Sequence, residues 1–265
     1  MKVRSIFGLI TSFAILGAAS CFLGGVAKAE TKTAESGNVR AEVSFQSTSG
    51  LCSQNPRLRL VRKSQTVLNE DIQKQEVGYC RVSDLQVRDL DKDNEPEIIL
   101  DIFSGGAHCC TSSLIYRYDV KTKEYIAITH SWGNGGRYGI EDVNKDGNLE
   151  FVGRDDRFAY KFAAYAGSYY PLQIWQYREG KMIDATRRYP QQVKNHATQL
   201  WQEYTKTKNH FEGGKAILAA YLADKYLLGE SEAGWRRVQE AYKESDRSQF
   251  FTELRKFLGE AGYIR

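Results

Sequence analysis

Hydrophobic and polar residues follow two different periods along the chain, and the change falls near residue 190. From 39 to 185 the apolar positions either alternate with polar ones or form short runs, which is the pattern of strands. The segment 98–103 is almost continuously apolar, as expected for a strand that is buried on both faces. Two pairs of strand-like segments flank short polar turns and predict hairpins, 113–118 with 125–128 and 172–177 with 181–183.

Beyond Pro190 the apolar residues recur every three or four positions, which is the spacing of helices with one buried face. Pro190 suits the first turn of one helix, and Gly229 suits the end of an Ala/Leu-rich one. Capping residues at 231 and at 245–246 predict two more helices, which makes about four. The sequence therefore predicts an α+β protein, with a β-rich domain at 39–185 and a helical domain at 190–265.

The N-terminus has the features of a secretory signal peptide. Two basic residues precede an apolar stretch, and an Ala-Lys-Ala cleavage signal follows at 27–29. Because the apolar stretch is short for a bilayer-spanning helix, we interpret 1–29 as a signal peptide rather than an anchor. Residues 30–38 are small and polar, and we expect a disordered lead-in there. The mature protein is predicted to be exported (periplasmic, secreted or cell-surface), with no membrane span after cleavage.

Removing the signal peptide changes the charge of the chain. The peptide carries Lys2, Arg4 and Lys28 but no acidic residue, so the formal charge falls from +4 to +1. The alkaline balance of the full chain is therefore no sign of nucleic-acid binding. The remaining charge is unevenly divided, because residues 30–185 carry a net −3 and the residues from 186 onward a net +4.

Four cysteines remain after cleavage, and an even number in an exported protein predicts disulfides. We favour a bond between Cys52 and Cys80, which closes a loop around one irregular segment. The neighbours Cys109 and Cys110 could bond to one another, remain thiols, or each bond to a member of the other pair.

Two nine-residue segments, 89–97 (loop 1) and 142–150 (loop 2), share one arrangement of acidic and amide side chains. Both have an oxygen-bearing side chain at positions 1, 3, 5 and 9, and an apolar strand-like run follows each of them. The oxygens come from Asp89, Asp91, Asp93 and Glu97 in loop 1 and from Asp142, Asn144, Asp146 and Glu150 in loop 2. Such clusters repel themselves unless a hard cation lies between them, and calcium takes oxygen ligands only.

These loops resemble the calcium loops of FG-GAP/VCBS-type repeats, which join two strands of an integrin-α-like propeller blade. The resemblance implies that the carbonyls of Glu95 and Asn148 complete the two ligand sets. It also implies two propeller-blade-like antiparallel units, although two copies are too few to close a propeller. An EF-hand is excluded, because its Glu at position 12 is replaced by Leu100 and Gly153 and because strands follow both loops.

The favoured hypothesis is an exported calcium-binding module for adhesion, scaffolding or the binding of a protein or polysaccharide partner, with no recognisable catalytic set. One alternative is a hydrolase or thiol/redox enzyme centred on His108, Cys109 and Cys110, with calcium as a structural staple. Another is a carbohydrate-binding surface protein that uses the aromatic residues between 158 and 177. Simpler interpretations of these residues are a structural disulfide beside a solvated histidine, and aromatic side chains that fill the core.

Overall fold

The computed structural model describes residues 28–47, 52–74, 78–134, 137–207 and 213–264. The predicted signal peptide lies outside the described residues except for its last two, which begin the first strand. Within the described ranges, a β-rich part precedes four helices, so the α+β class is confirmed. No helix in these ranges is long and apolar enough to cross a membrane.

The β-rich part forms three four-stranded antiparallel sheets, each a simple up-and-down meander. Sheet 1 contains β1 (Lys28–Ser36), β2 (Val39–Ser47), β3 (Gln54–Arg62) and β4 (Gln65–Asp71). Sheet 2 contains β5 (Arg81–Arg88), β6 (Glu97–Phe103), β7 (Thr111–Asp119) and β8 (Glu124–Gly133). Sheet 3 contains β9 (Gly139–Glu141), β10 (Glu150–Arg154), β11 (Leu172–Arg178) and β12 (Lys181–Asp184). Both predicted hairpins are confirmed, as β7–β8 and β11–β12.

Two expectations are corrected by sheet 1. The two loop repeats predict two β units, whereas the described residues form three sheets. The composition of 30–38 predicts disorder, whereas 28–36 is a strand that pairs with β2 along its whole length. The turn between β3 and β4 has positive φ at both Lys63 and Ser64, the backbone of a tight hairpin turn without the usual Asn-Gly signature.

The three sheets pack face to face through two apolar cores. Side chains of β2 and β3 meet Ile98, Leu100 and Ile102 of β6 in the core between sheets 1 and 2. The alternate residue Ile99 faces Phe151 and Tyr177 in the core between sheets 2 and 3. β6 is therefore buried on both faces, which explains its continuous apolar run. The same alternation places Glu97 and Asp101 on the face that Ile99 shares, toward sheet 3.

The four helices are α1 (Pro190–Thr207), α2 (Gly214–Leu227), α3 (Ser231–Ala241) and α4 (Arg247–Glu260). Residues 216–224 of α2 are all buried, so α2 is the central helix of this part. Phe158, from the segment after β10, is buried in the same helical core. The segment between β10 and β11 and the helices thus share one hydrophobic core.

A buried carboxylate, paired with a half-exposed arginine, fastens the C-terminal end of the chain to the segment after β10. Asp155 is almost fully buried, and it accepts hydrogen bonds from Arg157 Nε at 2.8 Å and from the Tyr263 hydroxyl at 2.7 Å. Arg157 also donates to the carbonyl of Ala261 at 2.8 Å. These contacts satisfy a buried carboxylate with donors from both parts, and they hold the end of the chain in place.

Cysteine pairing settles the choice left open by the sequence. Cys52 and Cys80 are bonded, as predicted, and Ser53 donates its amide to the Cys80 carbonyl at 2.8 Å beside the bond. Cys109 and Cys110 are bonded to one another. The first disulfide ties the segment before β3 to the segment before β5, and so links sheets 1 and 2.

Candidate metal centre

Loop 1 and loop 2 occupy equivalent places in successive sheets. Loop 1 joins β5 to β6 in sheet 2, and loop 2 joins β9 to β10 in sheet 3. The flanking strands pair directly across each loop, Arg88 with Glu97 and Glu141 with Glu150. Position 9 of each loop is thus the first residue of a paired strand, and this fixes its carboxyl group relative to the loop.

The two loops also share one backbone conformation. Positions 4 and 6 have positive φ in both, at Lys92 and Asn94 in loop 1 and at Lys145 and Gly147 in loop 2. In both, the amide of position 6 donates to the side chain of position 1, that of position 7 to position 5, and that of position 2 to position 9. These N···O distances lie between 2.7 and 3.1 Å.

Three carboxylate oxygens of loop 1 are left without a donor. Asp89 Oδ1, Asp91 Oδ1 and Glu97 Oε1 are buried and accept no hydrogen bond from the described residues. One oxygen from each of these side chains lies within 4.8 Å of the others. Glu97 is fully buried, and an ionised carboxylate in that position is costly without a positive partner. Converging buried acceptors without donors are what a hard, oxygen-coordinated cation would complete.

The electrostatics of loop 1 lead to the same conclusion. Burial raises the pKa of Glu97 to about 8, the amide of Leu90 opposes this, and the charges of Asp91 and Asp93 add to it. Burial also raises the pKa of Asp91, where Asp93 adds to the effect and Arg117 opposes it. The loop therefore resists carrying its full negative charge at neutral pH unless a cation is close by.

Side chains from neighbouring strands border loop 1 without neutralising it. Arg117 of β7 makes only a long ion pair, with 3.7 Å between Nη2 and Asp93 Oδ2, and its buried Nε has no acceptor in the described structure. Tyr177 of β11 is fully buried, and its hydroxyl has no hydrogen-bond partner there either. Burial, and after it the charge of Glu97, raises the pKa of Tyr177.

The other two positions of loop 1 already have protein partners. Asp93 Oδ1 accepts the amide of Glu95 at 2.8 Å. The Glu95 side chain turns toward β3, where it forms an ion pair with Arg62 and accepts a 2.7 Å hydrogen bond from Arg62 Nε. The guanidinium lies over the ring of Tyr118, 4.1 Å from its centroid. The main-chain carbonyl is thus the group of Glu95 that remains for an ion, which is the ligand implied by the resemblance.

The corresponding oxygens of loop 2 have donors. Asp142 accepts the amide of Asp146 on Oδ1 at 3.0 Å and the amide of Gly147 on Oδ2 at 2.7 Å. Asp146 accepts from the Asn144 side chain at 2.9 Å and from the amide and side chain of Asn148, both at 2.8 Å. These donors, the Asn148 amide first, lower the pKa of Asp146, the opposite direction to the shifts of Asp91 and Glu97 in loop 1.

Position 9 shows the difference between the loops most clearly. Glu150, like Glu97, is fully buried, but its Oε1 accepts a 2.8 Å hydrogen bond from Gln176 Nε2 on the paired strand β11. The two loops therefore share a backbone and differ in the hydrogen bonds of their inward-facing oxygens.

The structure does not assemble a catalytic site around His108. The imidazole stacks on Tyr165, with centroids 4.0 Å apart, and its Nδ1 is hydrogen-bonded to the hydroxyl of Tyr160. Cys109 and Cys110 are bonded to each other, so neither sulfur is a thiolate while that bond is intact. The enzyme alternative lacks its nucleophile in this form.

The aromatic residues between 158 and 177 mainly fill the interior. Two are buried, Phe158 and Tyr177. Others pack against the helical core or the core between sheets 2 and 3, namely Phe162, Tyr169, Tyr170 and Trp175. Two residues are exceptions: Tyr160, with 51% of its surface exposed, and the half-buried Tyr165, which stacks on His108. The arrangement of these aromatic residues as a whole favours the core interpretation over a sugar-binding platform.

Comparisons with known proteins place similarity in both parts of the chain. A family described as the sll0997 C-terminal domain matches residues 193–262, within the helical part. The chain is 32% identical over 204 residues to the "Probable thylakoid lumen protein sll0997" of Synechocystis sp. (strain ATCC 27184 / PCC 6803 / Kazusa). That alignment covers 68% of this chain and 60% of the relative, and it is far longer than the helical part, so it includes β-rich sequence.

Other similarities are more limited. An "Uncharacterized protein y4bJ" of Sinorhizobium fredii (strain NBRC 101917 / NGR234) is 34% identical over 161 residues, which cover 57% of this chain and 24% of that protein. The chain therefore spans between a quarter and three fifths of the length of these two relatives. A solved "Structure of a Xanthomonas Type IV Secretion System related protein" matches with 12% identity over 58% of this chain and 92% of that one. Its TM-score is 0.26, which is too low to support a conclusion about fold or function.

Sequence motifs alone do not identify the side chains that surround the loops. Arg62, Arg117, Gln176 and Tyr177 come from other strands and are brought to loop 1 or loop 2 by sheet pairing and packing. Only the alternation of polar and apolar residues in β3, β7 and β11 could have indicated them, and it does not say which loop they face.

Proposed function

We propose that the protein is an exported calcium-binding module whose ion is held in loop 1. Asp89, Asp91 and Glu97 would supply the primary oxygens, joined by Asp93 and by the main-chain carbonyl of Glu95. The proposal is carried by the three buried carboxylate oxygens that converge and have no donor in the described structure.

The chemistry of the donors favours calcium over other divalent ions. The converging group consists of carboxylates, with no cysteine or histidine as zinc or copper would prefer. Magnesium demands near-ideal octahedral geometry and gives up its water reluctantly, whereas calcium accepts six to eight oxygens with flexible geometry. A short turn that supplies several carboxylates and one carbonyl suits calcium better.

The ion would act as a structural staple at the junction of the sheets. Loop 1 leads into the doubly buried strand β6 and contacts sheet 1 through the pair of Glu95 with Arg62. An ion in loop 1 would fix the start of β6, and so the packing of the sheets on either side of it. The role that follows is adhesion, scaffolding or the binding of a protein or polysaccharide partner, rather than catalysis.

Export is supported by three independent observations. The N-terminus has the composition of a signal peptide, Cys52 and Cys80 form a disulfide, and a relative is named as a probable thylakoid lumen protein. Disulfides of this kind persist in oxidising compartments outside the cytosol.

Isothermal titration of the chain lacking 1–29 with calcium tests the proposal. We expect saturable binding that magnesium at equal concentration does not replace, and that Asp91→Asn abolishes. Asp119→Asn is the matched control, because it removes an acid from an exposed turn outside both loops. Absence of binding heat and of a calcium-dependent shift in Tm, or equal binding by Asp91→Asn and wild type, would refute it.

A further inference from the structure

A lysine of loop 1 reaches across to loop 2. Lys92, at position 4 of loop 1, donates from Nζ to the carbonyl of Asp146 at 2.6 Å. A Cβ at position 147 would contact this ammonium group, so the glycine leaves room for the lysine in its present position. Lys92 and the equivalent Lys145 of loop 2 are both exposed, so it is the contact with Asp146, and not burial, that sets Lys92 apart. The ammonium group of Lys92 therefore places a positive charge against the backbone of loop 2.

The buried acid of loop 2 is also held by a fixed hydrogen-bond donor. Gln176 donates to Glu150, and its own carbonyl oxygen accepts a 2.6 Å hydrogen bond from Arg188 Nη2. Because Arg188 can only donate, this contact orients the amide so that its NH₂ group faces the carboxylate. Gln176 Nε2 also lies 2.6 Å from the hydroxyl of Tyr189, so the amide is engaged on both sides.

The two loops differ in formal charge as well. Positions 1, 3, 5 and 9 hold four carboxylates in loop 1 and three in loop 2, where Asn144 stands at position 3. Affinity for calcium in such loops follows the number of charged ligands and the freedom of their oxygens. Loop 2 has fewer charges, and it already has donors for Asp142 Oδ1 and Glu150 Oε1, the counterparts of two loop 1 oxygens that have none in the described structure.

We infer that loop 2 is closed by the protein's own donors, with Lys92 as its built-in cation, so that the chain binds one calcium ion and not two. The inference rests on the proposed function of loop 1 and departs from the sequence-based expectation of an ion in each loop. Lys92 would also couple sheet 2 to sheet 3, because an ion that orders loop 1 would hold this lysine against loop 2.

Equilibrium dialysis against calcium, with metal analysis of the retained protein, counts the ions. We expect one ion per chain in wild type, none in Asp91→Asn and one in Asp146→Asn. Two ions in wild type, or loss of the single ion in Asp146→Asn, would overturn the inference and leave calcium binding in place. No ion in wild type would instead refute the proposed function.

A pair of double variants tests the lysine itself. Asn144→Asp with Lys92→Met restores the fourth carboxylate and removes the internal cation, and we expect a second ion. Asn144→Asp with Lys145→Met makes the same two chemical changes but keeps Lys92, and we expect one ion only. If both doubles bind two ions, or both bind one, Lys92 is not what excludes calcium from loop 2. The count for Asp146→Asn then remains an independent test of the single site.

Discussion

Replacing Glu97 by glutamine should have opposite effects on stability with and without calcium. The variant keeps the acceptor for the amide of Leu90, which Glu97 Oε2 binds at 3.0 Å in the wild type. It places an NH₂ group where the unpaired Oε1 lies, next to the acceptor oxygens of Asp89 and Asp91. Without an ion, the substitution therefore removes a buried carboxyl group that cannot easily ionise and adds a donor for its neighbours.

The size of the effect follows from the pKa of Glu97, which rises from 4.5 to about 8 on folding. Below pH 4.5 the carboxyl is protonated in both states and costs nothing. As pH rises toward 8, the unfolded chain releases the proton and the calcium-free folded chain does not, so stability is lost through this range. At pH 7 the loss amounts to about 3 kcal/mol as an upper bound. Glu97→Gln should recover up to that amount in chelator.

Calcium should reverse the order of the two proteins. An ion at 1,000 times its dissociation constant adds about 4.1 kcal/mol to the wild type, more than the loss of about 3 kcal/mol, and a variant that cannot bind it gains nothing. Urea unfolding at pH 7 in excess chelator and in saturating calcium measures both differences, provided the slopes agree. We expect the variant to have the higher midpoint in chelator and no shift with calcium.

Glu150→Gln is the matched control, since it changes the equivalent residue of loop 2. There the glutamine would turn an NH₂ group toward Gln176 Nε2, which now donates to Glu150 at 2.8 Å. The control should therefore lose stability by a similar amount in calcium and in chelator. If Glu97→Gln instead loses the same amount of unfolding free energy in calcium and in chelator, as this control should, then Glu97 does not hold an ion in loop 1.

Three further predictions concern parts of the fold away from the loops. His130 is packed between two indole rings, and burial lowers its pKa to about 4, so the free energy of unfolding should fall as pH drops from about 6.5 to 4. His130→Phe should flatten that part of the plot of urea midpoint against pH, and an unchanged plot would show that His130 is not the group responsible. Tyr263→Phe removes a 2.7 Å hydrogen bond to the buried Asp155, and should lower the free energy of unfolding in urea by about 1–3 kcal/mol. No measurable loss would show that this hydrogen bond does not stabilise the fold. Replacing Cys52 and Cys80 together by alanine opens a disulfide that spans 28 residues, and should cost about 3–4 kcal/mol by the same assay; a loss below about 1 kcal/mol would count against this.

Hydrophobic periodicity predicts the buried elements of this fold and misses the exposed ones. The four helices and the two hairpins of sheets 2 and 3 each have a buried face that shows in the sequence. The strands β1 and β4 were not anticipated, and they are the two edges of sheet 1. Their residues are exposed or half-buried throughout, so no alternation of apolar positions marks them. A strand that is held mainly by backbone pairing leaves little signal in its side chains.

The candidate site was predictable in its local part and not beyond it. The spacing of acids in loops 1 and 2 gives the turn and its amide-to-carboxylate hydrogen bonds, because these depend on residues within nine positions of each other. The orientation of Glu95 could not be predicted, since it depends on Arg62, which sheet 1 brings to the loop. The contact of Lys92 with loop 2 likewise depends on how sheet 2 packs on sheet 3.

A further difference between the two loops lies outside the motif, in the strand partner of position 9. In sheet 3, Glu150 pairs with Gln176, a neutral donor that satisfies the buried carboxylate without an ion. In sheet 2, Ile98 pairs with Tyr116, so the next pair in that register sets Glu97 beside Arg117. That guanidinium extends toward Asp93 and leaves Glu97 Oε1 without a donor. Two loops with the same spacing and the same backbone can therefore differ in whether their acids already have donors, and the strand partner of position 9 contributes to this difference together with Lys92.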